Sequence, residues 1–172
     1  TNRPGTASFD SKGIVHRAEL SCNDHVTMSY TADQQAAVKK TIAAVRGDTG
    51  KHGKDLFVFW LTRSPDQLEK FPKYASVDAM KSVSTFPAHA KAVVDELLNI
   101  VEVAEDSGAL NGKIKALMTS HASRDLSAAN YENLWGSLVP FLEQALGGAF
   151  TPAAKAGWQN VGGLIINAIK SC

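Results

Sequence analysis

Two histidines, His89 and His121, sit within segments of helical period, each on the apolar side. In the first segment Phe86, His89, Val93, Leu97 and Ile100 recur at steps of three and four residues, which places them on one helix face. In the second, Ile114, Leu117, Met118 and His121 do the same. A neutral imidazole offers one ring nitrogen to a metal while the other N–H donates a hydrogen bond, and it is the commonest protein metal ligand. Two imidazoles carried on different helices toward one apolar space therefore suit coordination chemistry. The plainer reading is a pair of core histidines, each bonded to a carbonyl. His16 and His25 have no carboxylate or cysteine cluster at ligand spacing and read as surface residues.

The elements that must position these residues are helices. Thr31-x-x-Gln34 has the form of a capping box opening a helix over 32–46, with Val38, Ile42 and Val45 on one face. Gly47-Asp48-Thr49-Gly50 stops it. The dense run Leu56-Phe57-Val58-Phe59-Trp60-Leu61 belongs to a second helix over 51–63. Ser64-Pro65-x-Gln67 ends that helix and caps a short one, and 75–82 reads as a polar connection. A helix over 83–105 carries His89, with Pro87 in its first turns, and Asp106-Ser107-Gly108 ends it. A helix over 110–123 carries His121, and Arg124-Asp125-Leu126 turns the corner. Ser127 caps a helix over 128–146 that contains Pro140, and Gly147-Gly148 stops it. Thr151-Pro152 starts the last helix, which runs to about residue 171 with Trp158, Val161, Ile165 and Ile169 on its apolar side. Six long helices, at least one short one and no strand hairpin give an all-α class. Residues 1–30 lack any sustained period and form an irregular extension, so the organised domain is 31–172.

The 172 residues suffice for one domain with a full core, and 44% hydrophobic against 20% charged residues is the balance of an ordinary soluble globule. A formal net charge of +1 gives no reason to expect nucleic acid or a membrane surface as partner. No apolar run reaches the ~18 residues of a membrane span. The chain starts at Thr1 without a signal peptide, which fits a mature form or a trimmed chain. Cys22 and Cys172 form neither C-x-x-C nor C-x-x-C-H, so neither a zinc ribbon nor covalent haem attachment is indicated.

Three stretches carry a family resemblance. Leu117-x-x-Ser120-His121-Ala122-Ser123-Arg124 resembles the proximal-histidine segment of globins. Phe86-x-x-His89-x-x-x-Val93 resembles their distal helix, and Phe71-Pro72-Lys73-Tyr74 resembles the corner where an aromatic ring wedges the haem. Their order and approximate spacing agree with the family, and the likeness runs over 31–170.

The resemblance implies a globin fold, about eight helices around a pocket for haem b (iron protoporphyrin IX). It implies His121 as the proximal iron ligand and His89 as the distal residue donating to a bound gas. Val93 crowds that gas and Phe57 narrows the pocket from the opposite wall. Phe71 is the wedge, with Tyr74 beside it. Leu117 and Leu126 contact the ring, as do Tyr131, Leu134 and Ile165. Lys73 and Arg124 fall near the haem propionates, or are solvated surface charges. The implied function is reversible binding of dioxygen and other diatomic gases, for transport or storage, in a homo- or hetero-oligomer of globin chains. The same histidine pair also serves a peroxidase-like enzyme or a nitric-oxide dioxygenase, because fold does not fix function; no flavin or nicotinamide fingerprint accompanies it. A haem-free helical partner module is the third reading. The extension with Cys22 and the terminal Cys172 resemble secreted globins of invertebrates. In the globin arrangement the first and last helices pack together, so the resemblance implies an intrachain Cys22–Cys172 bridge and an extracellular location, in blood or coelomic fluid. A bridge between subunits, or two free thiols in a cytoplasmic protein, are the alternatives.

Overall fold

The computed structural model describes residues 30–172, so Cys22, His16 and His25 lie outside the described residues. Seven α-helices follow in chain order: α1 (Ala32–Arg46), α2 (Thr49–Arg63), α3 (Val77–Lys81), α4 (Phe86–Glu102), α5 (Ser107–His121), α6 (Ala128–Leu146) and α7 (Pro152–Lys170). A 3-10 helix, Pro65–Lys70, brings the rods of five residues or more to eight, and two single 3-10 turns, Ala122–Arg124 and Gly147–Ala149, close α5 and α6. No strand occurs among the described residues, and none of their helices is long and apolar enough to cross a membrane.

The helix starts follow from side chains that satisfy first-turn N–H groups. The Thr31 hydroxyl accepts from Gln34 N at 3.3 Å while Gln34 Oε1 accepts from Thr31 N at 3.2 Å, so the box forms. Asp48 accepts from Lys51 N at 2.8 Å and starts α2 two residues earlier than periodicity places it. Asp106, read as a stop, instead caps α5 through Ala109 N at 3.0 Å. At Ser127 the Oδ1 of Asn130 accepts from the backbone N–H at 2.9 Å.

Two local expectations fail. Ser64 makes no side-chain cap. Gln67 is buried, and its amide is spent elsewhere: it donates to the Asp66 carboxylate at 2.7 Å and accepts from Asn130 of α6 at 3.0 Å. The connection over 75–82 contains α3, started by Ser76 Oγ accepting from Ala79 N at 3.0 Å and anchored by the fully buried Met80.

Packing rests on α2 against α4 and on α7 against α1 and α6. A Cβ on Gly53 would lie 2.5 Å from the carbonyl oxygen of Ala90, so α2 and α4 touch backbone to backbone there. At Gly162 the missing Cβ leaves room for the Trp135 indole, whose Nε1–H donates to the Trp158 carbonyl at 3.1 Å. The Trp158 ring, fully buried, donates to Thr41 Oγ1 of α1 at 2.6 Å. One indole and one carbonyl of Trp158 thus tie α7 to both neighbours, and both indole N–H groups have an acceptor.

These contacts predict opposite signs for two Gly→Ala changes. At Gly112, on exposed α5 with open space around it, Gly112→Ala should stabilise by about 0.5–1 kcal/mol through helix propensity. At Gly53 the added methyl must push two helices apart, and Gly53→Ala should destabilise by about 1–3 kcal/mol. Urea unfolding of both variants measures the pair.

Candidate functional site

Between α4 and α5, floored by α6 and α7 and closed at one end by α2, lies a cavity of about 560 Å³. That is the size of a ligand pocket. Eleven of the thirteen side chains expected at a site line it: Phe57 of α2, Phe71, His89 and Val93 of α4, Leu117 and His121 of α5, Arg124, Leu126, and Tyr131, Leu134 and Ile165 on the floor. Lys73 and Tyr74 do not line it.

The His121 side is set by the end of α5. Nδ1 of His121 lies 2.9 Å from the Leu117 carbonyl, one turn back, and 2.9 Å from Ser120 Oγ, which itself donates to Leu117 O at 2.8 Å. A carbonyl only accepts, so Nδ1 carries the hydrogen and Nε2 keeps a free lone pair. This is the tautomer a metal ligand needs.

The His89 side is aromatic. The Phe57 ring centre is 5.3 Å from the imidazole and that of Phe71 is 5.9 Å away. Tyr74 stands behind the imidazole, with its hydroxyl 2.8 Å from Nδ1. Burial first, then the positive charges of Arg124 and Lys73, push the His89 imidazole below its usual range, which favours its neutral form. Lys73 is exposed, so it reaches the site only through its field.

Cations gather at the mouth. Arg124 lines it, as does Lys70, whose Nζ donates to the Asp125 carbonyl at 3.0 Å. That contact holds Asp125 in a left-handed turn at φ 49°, which a short polar side chain tolerates. Deeper in, the Tyr131 hydroxyl is buried without a hydrogen-bond partner among the described residues, and burial raises its pKa. A cavity with an apolar floor, one metal-ready imidazole, a second neutral imidazole facing it and a cationic rim can take up a flat, mostly apolar, anionic-edged metal complex.

Sequence reasoning misses Trp60, Gln67, Lys70, Trp135, Ile166 and Ile169 as lining residues. Spacing could have found two of them: Trp60 is three residues from Phe57, and Ile169 is four from Ile165, each on the same helix face. Lys70 and Gln67 leave no such signal, because a 3-10 segment and a contact to α6 bring them in.

Comparison with known proteins agrees with this architecture. A family model described as Globin matches residues 54–169. Globin-1 of Liolophura japonica is 31% identical over 137 residues, covering 76% of this chain and 92% of that protein. The globin of Nerita albicilla is 25% identical over 146 residues, covering 84% and 93%. Globin CTT-VIII of Chironomus thummi thummi is 30% identical over 122 residues, covering 67% and 78%. With that match spanning most of α2 to α7 and the helical order described above, the chain belongs to the globin family.

Proposed function

We propose that this protein is a reversible dioxygen carrier holding non-covalent haem b in the cavity between α4 and α5. The observation that carries the reading is the pair of imidazoles on that cavity, one with its tautomer fixed for metal binding by the Leu117 carbonyl. The residues present fit the group: an apolar floor for the porphyrin face, Lys70 and Arg124 for the propionates, and no C-x-x-C-H that would attach it covalently. When bound, haem supplies a ferrous iron at which dioxygen attaches and leaves.

The side chains do the rest. His121 would hold the iron through its Nε2 lone pair, and its Nδ1–H bond to the Leu117 carbonyl fixes the tautomer and the orientation of the imidazole. His89, whose neutral form burial favours, would donate toward a gas held in the cavity. Val93, Phe57 and Phe71 line the cavity with His89 and would limit the space for the gas and keep water from it. Lys73 adds positive potential from outside the rim. Carriage in an extracellular fluid, where disulfides persist, as part of a globin oligomer and with a Cys22–Cys172 bridge, completes the proposal.

The deciding experiment is the visible spectrum of the purified protein with and without dithionite and oxygen. A Soret band that shifts reversibly with oxygen supports the reading; a chain that takes up no haem ends it. His121→Ala should lose haem or bind it far more weakly unless imidazole is supplied, and an undiminished Soret band without imidazole would remove His121 as the ligand. A hydrogen bond from His89 to the polarised gas is worth about 1.5–3 kcal/mol, so His89→Leu should speed oxygen release about tenfold or more in stopped flow, with little change for carbon monoxide. For the cysteines, non-reducing electrophoresis and a thiol count should give a monomer band with no free thiol. A dimer band that collapses on reduction would place the bridge between subunits, and two titratable thiols would exclude any bridge.

A further inference from the structure

Tyr74 occupies a place that haem contact does not explain. It is 6% exposed, off the cavity wall, and its hydroxyl lies 2.8 Å from Nδ1 of His89. Phe71 stacks on its ring at 5.7 Å and 18°, and Phe86 meets it edge-on at 5.7 Å and 83°. The phenol is clamped on both sides, and its backbone N–H is tied to the Phe71 carbonyl at 2.8 Å. It cannot turn its hydroxyl elsewhere without breaking this packing. Among the described residues Nδ1 of His89 is the only partner of that hydroxyl.

We infer that Tyr74 is a positioning residue whose O–H donates to Nδ1 of His89, so that the ring hydrogen sits on Nε2 and His89 meets the cavity as a donor. Two arrangements of the contact exist. If Nδ1–H donated to the phenol oxygen, the phenol hydrogen would be buried without an acceptor, which costs more than the bond returns. It would also leave a lone pair on Nε2, and the cavity would hold two metal-ready imidazoles. With the phenol as donor the O–H packed between Phe71 and Phe86 has its acceptor, and the one hydrogen left over, on Nε2, faces the cavity, where an occupant can accept it; the two histidines then carry opposite tautomers, His121 with the hydrogen on Nδ1 and His89 with it on Nε2. The same contact pins the imidazole against Phe57 and Phe71, so it resists swinging outward. His89 is thereby kept a hydrogen-bond donor to a diatomic gas and kept from becoming a second iron ligand.

The kinetic consequence rests on the carrier reading; the tautomer does not. Nitrogen-15 NMR of the imidazoles in the full-length, reduced, carbon monoxide-saturated protein should show Nε2 of His89 protonated and Nδ1 bare. Tyr74→Phe, which keeps the ring and its stacking, should leave His89 exchanging between tautomers and speed oxygen release about three- to tenfold, the worth of one neutral hydrogen bond. Carbon monoxide release should barely change. In the His89→Leu background the same substitution should add nothing, because its effect passes through the imidazole. A protonated Nδ1 in the wild type overturns the inference, and so does an equal acceleration in the His89→Leu background, which would mean packing alone. A chain that takes up no haem defeats the carrier reading instead, and the same NMR measurement on that chain still decides the tautomer.

Discussion

The backbone contact of α2 with α4 at Gly53 and Ala90 is the constraint from which the site follows. Helices normally stay apart by the bulk of their side chains. Here the bare glycine lets Ala90, fully buried, rest on the α2 backbone. His89 is the neighbour of Ala90 in sequence, and Phe57 is one helical turn beyond Gly53. The crossing therefore sets both ends of the 5.3 Å contact between the imidazole and the Phe57 ring. That wall of the cavity is rigid: Phe57 and Leu61 are wholly buried, and Phe57, Trp60 and Phe71 meet edge to face at 5.6–5.8 Å.

The opposite wall has a different character. Of α5 only Leu110 and Ile114 are buried, while Leu117, Met118 and His121 are half-buried. Its C-terminal half leans on the cavity and so gains its remaining apolar contact from whatever fills that space. Ligand binding and the packing of this helix are therefore linked, and an occupant that binds only the folded chain stabilises it by mass action. On the proposed reading, a stiff wall carries the imidazole that donates and a softer wall carries the one that accepts a metal, which divides the chemistry between two helices.

The mouth shows how charge is placed without a buried ion. Lys70 reaches the Asp125 carbonyl rather than a buried carboxylate, and Arg124 stays exposed. Neither charge is buried, and that of Arg124 adds to burial in lowering the His89 pKa. Surface pairs such as Lys91–Asp95 within α4 and Arg46–Glu102 between α1 and α4 contribute little by themselves to stability. The tryptophan contacts, buried and satisfied, matter more to how α1, α6 and α7 are locked together.

The sequence alone determined the class and the bearing of the main residues. Apolar spacing of three and four fixed which face of each helix is buried, and caps such as Thr31 and Ser127 marked where helices begin, because both depend only on neighbours within one turn. Thus His89 and His121 could be placed on inward faces, and Phe57, Val93 and Leu117 followed from the resemblance and lie on the same cavity. What only the tertiary structure decided lies between distant segments. Gln67 is capped into no helix because Asn130, 63 residues on, takes its side chain. Lys70 enters the rim, and Lys73 stays out, through the path of a 3-10 segment that has no strong period. Tyr74, read as a haem contact, stands behind His89, 15 residues away, and faces its ring nitrogen. Which atom of an imidazole is protonated depends on a partner 2.8 Å distant in space, and no pattern of residue types along the chain specifies that distance.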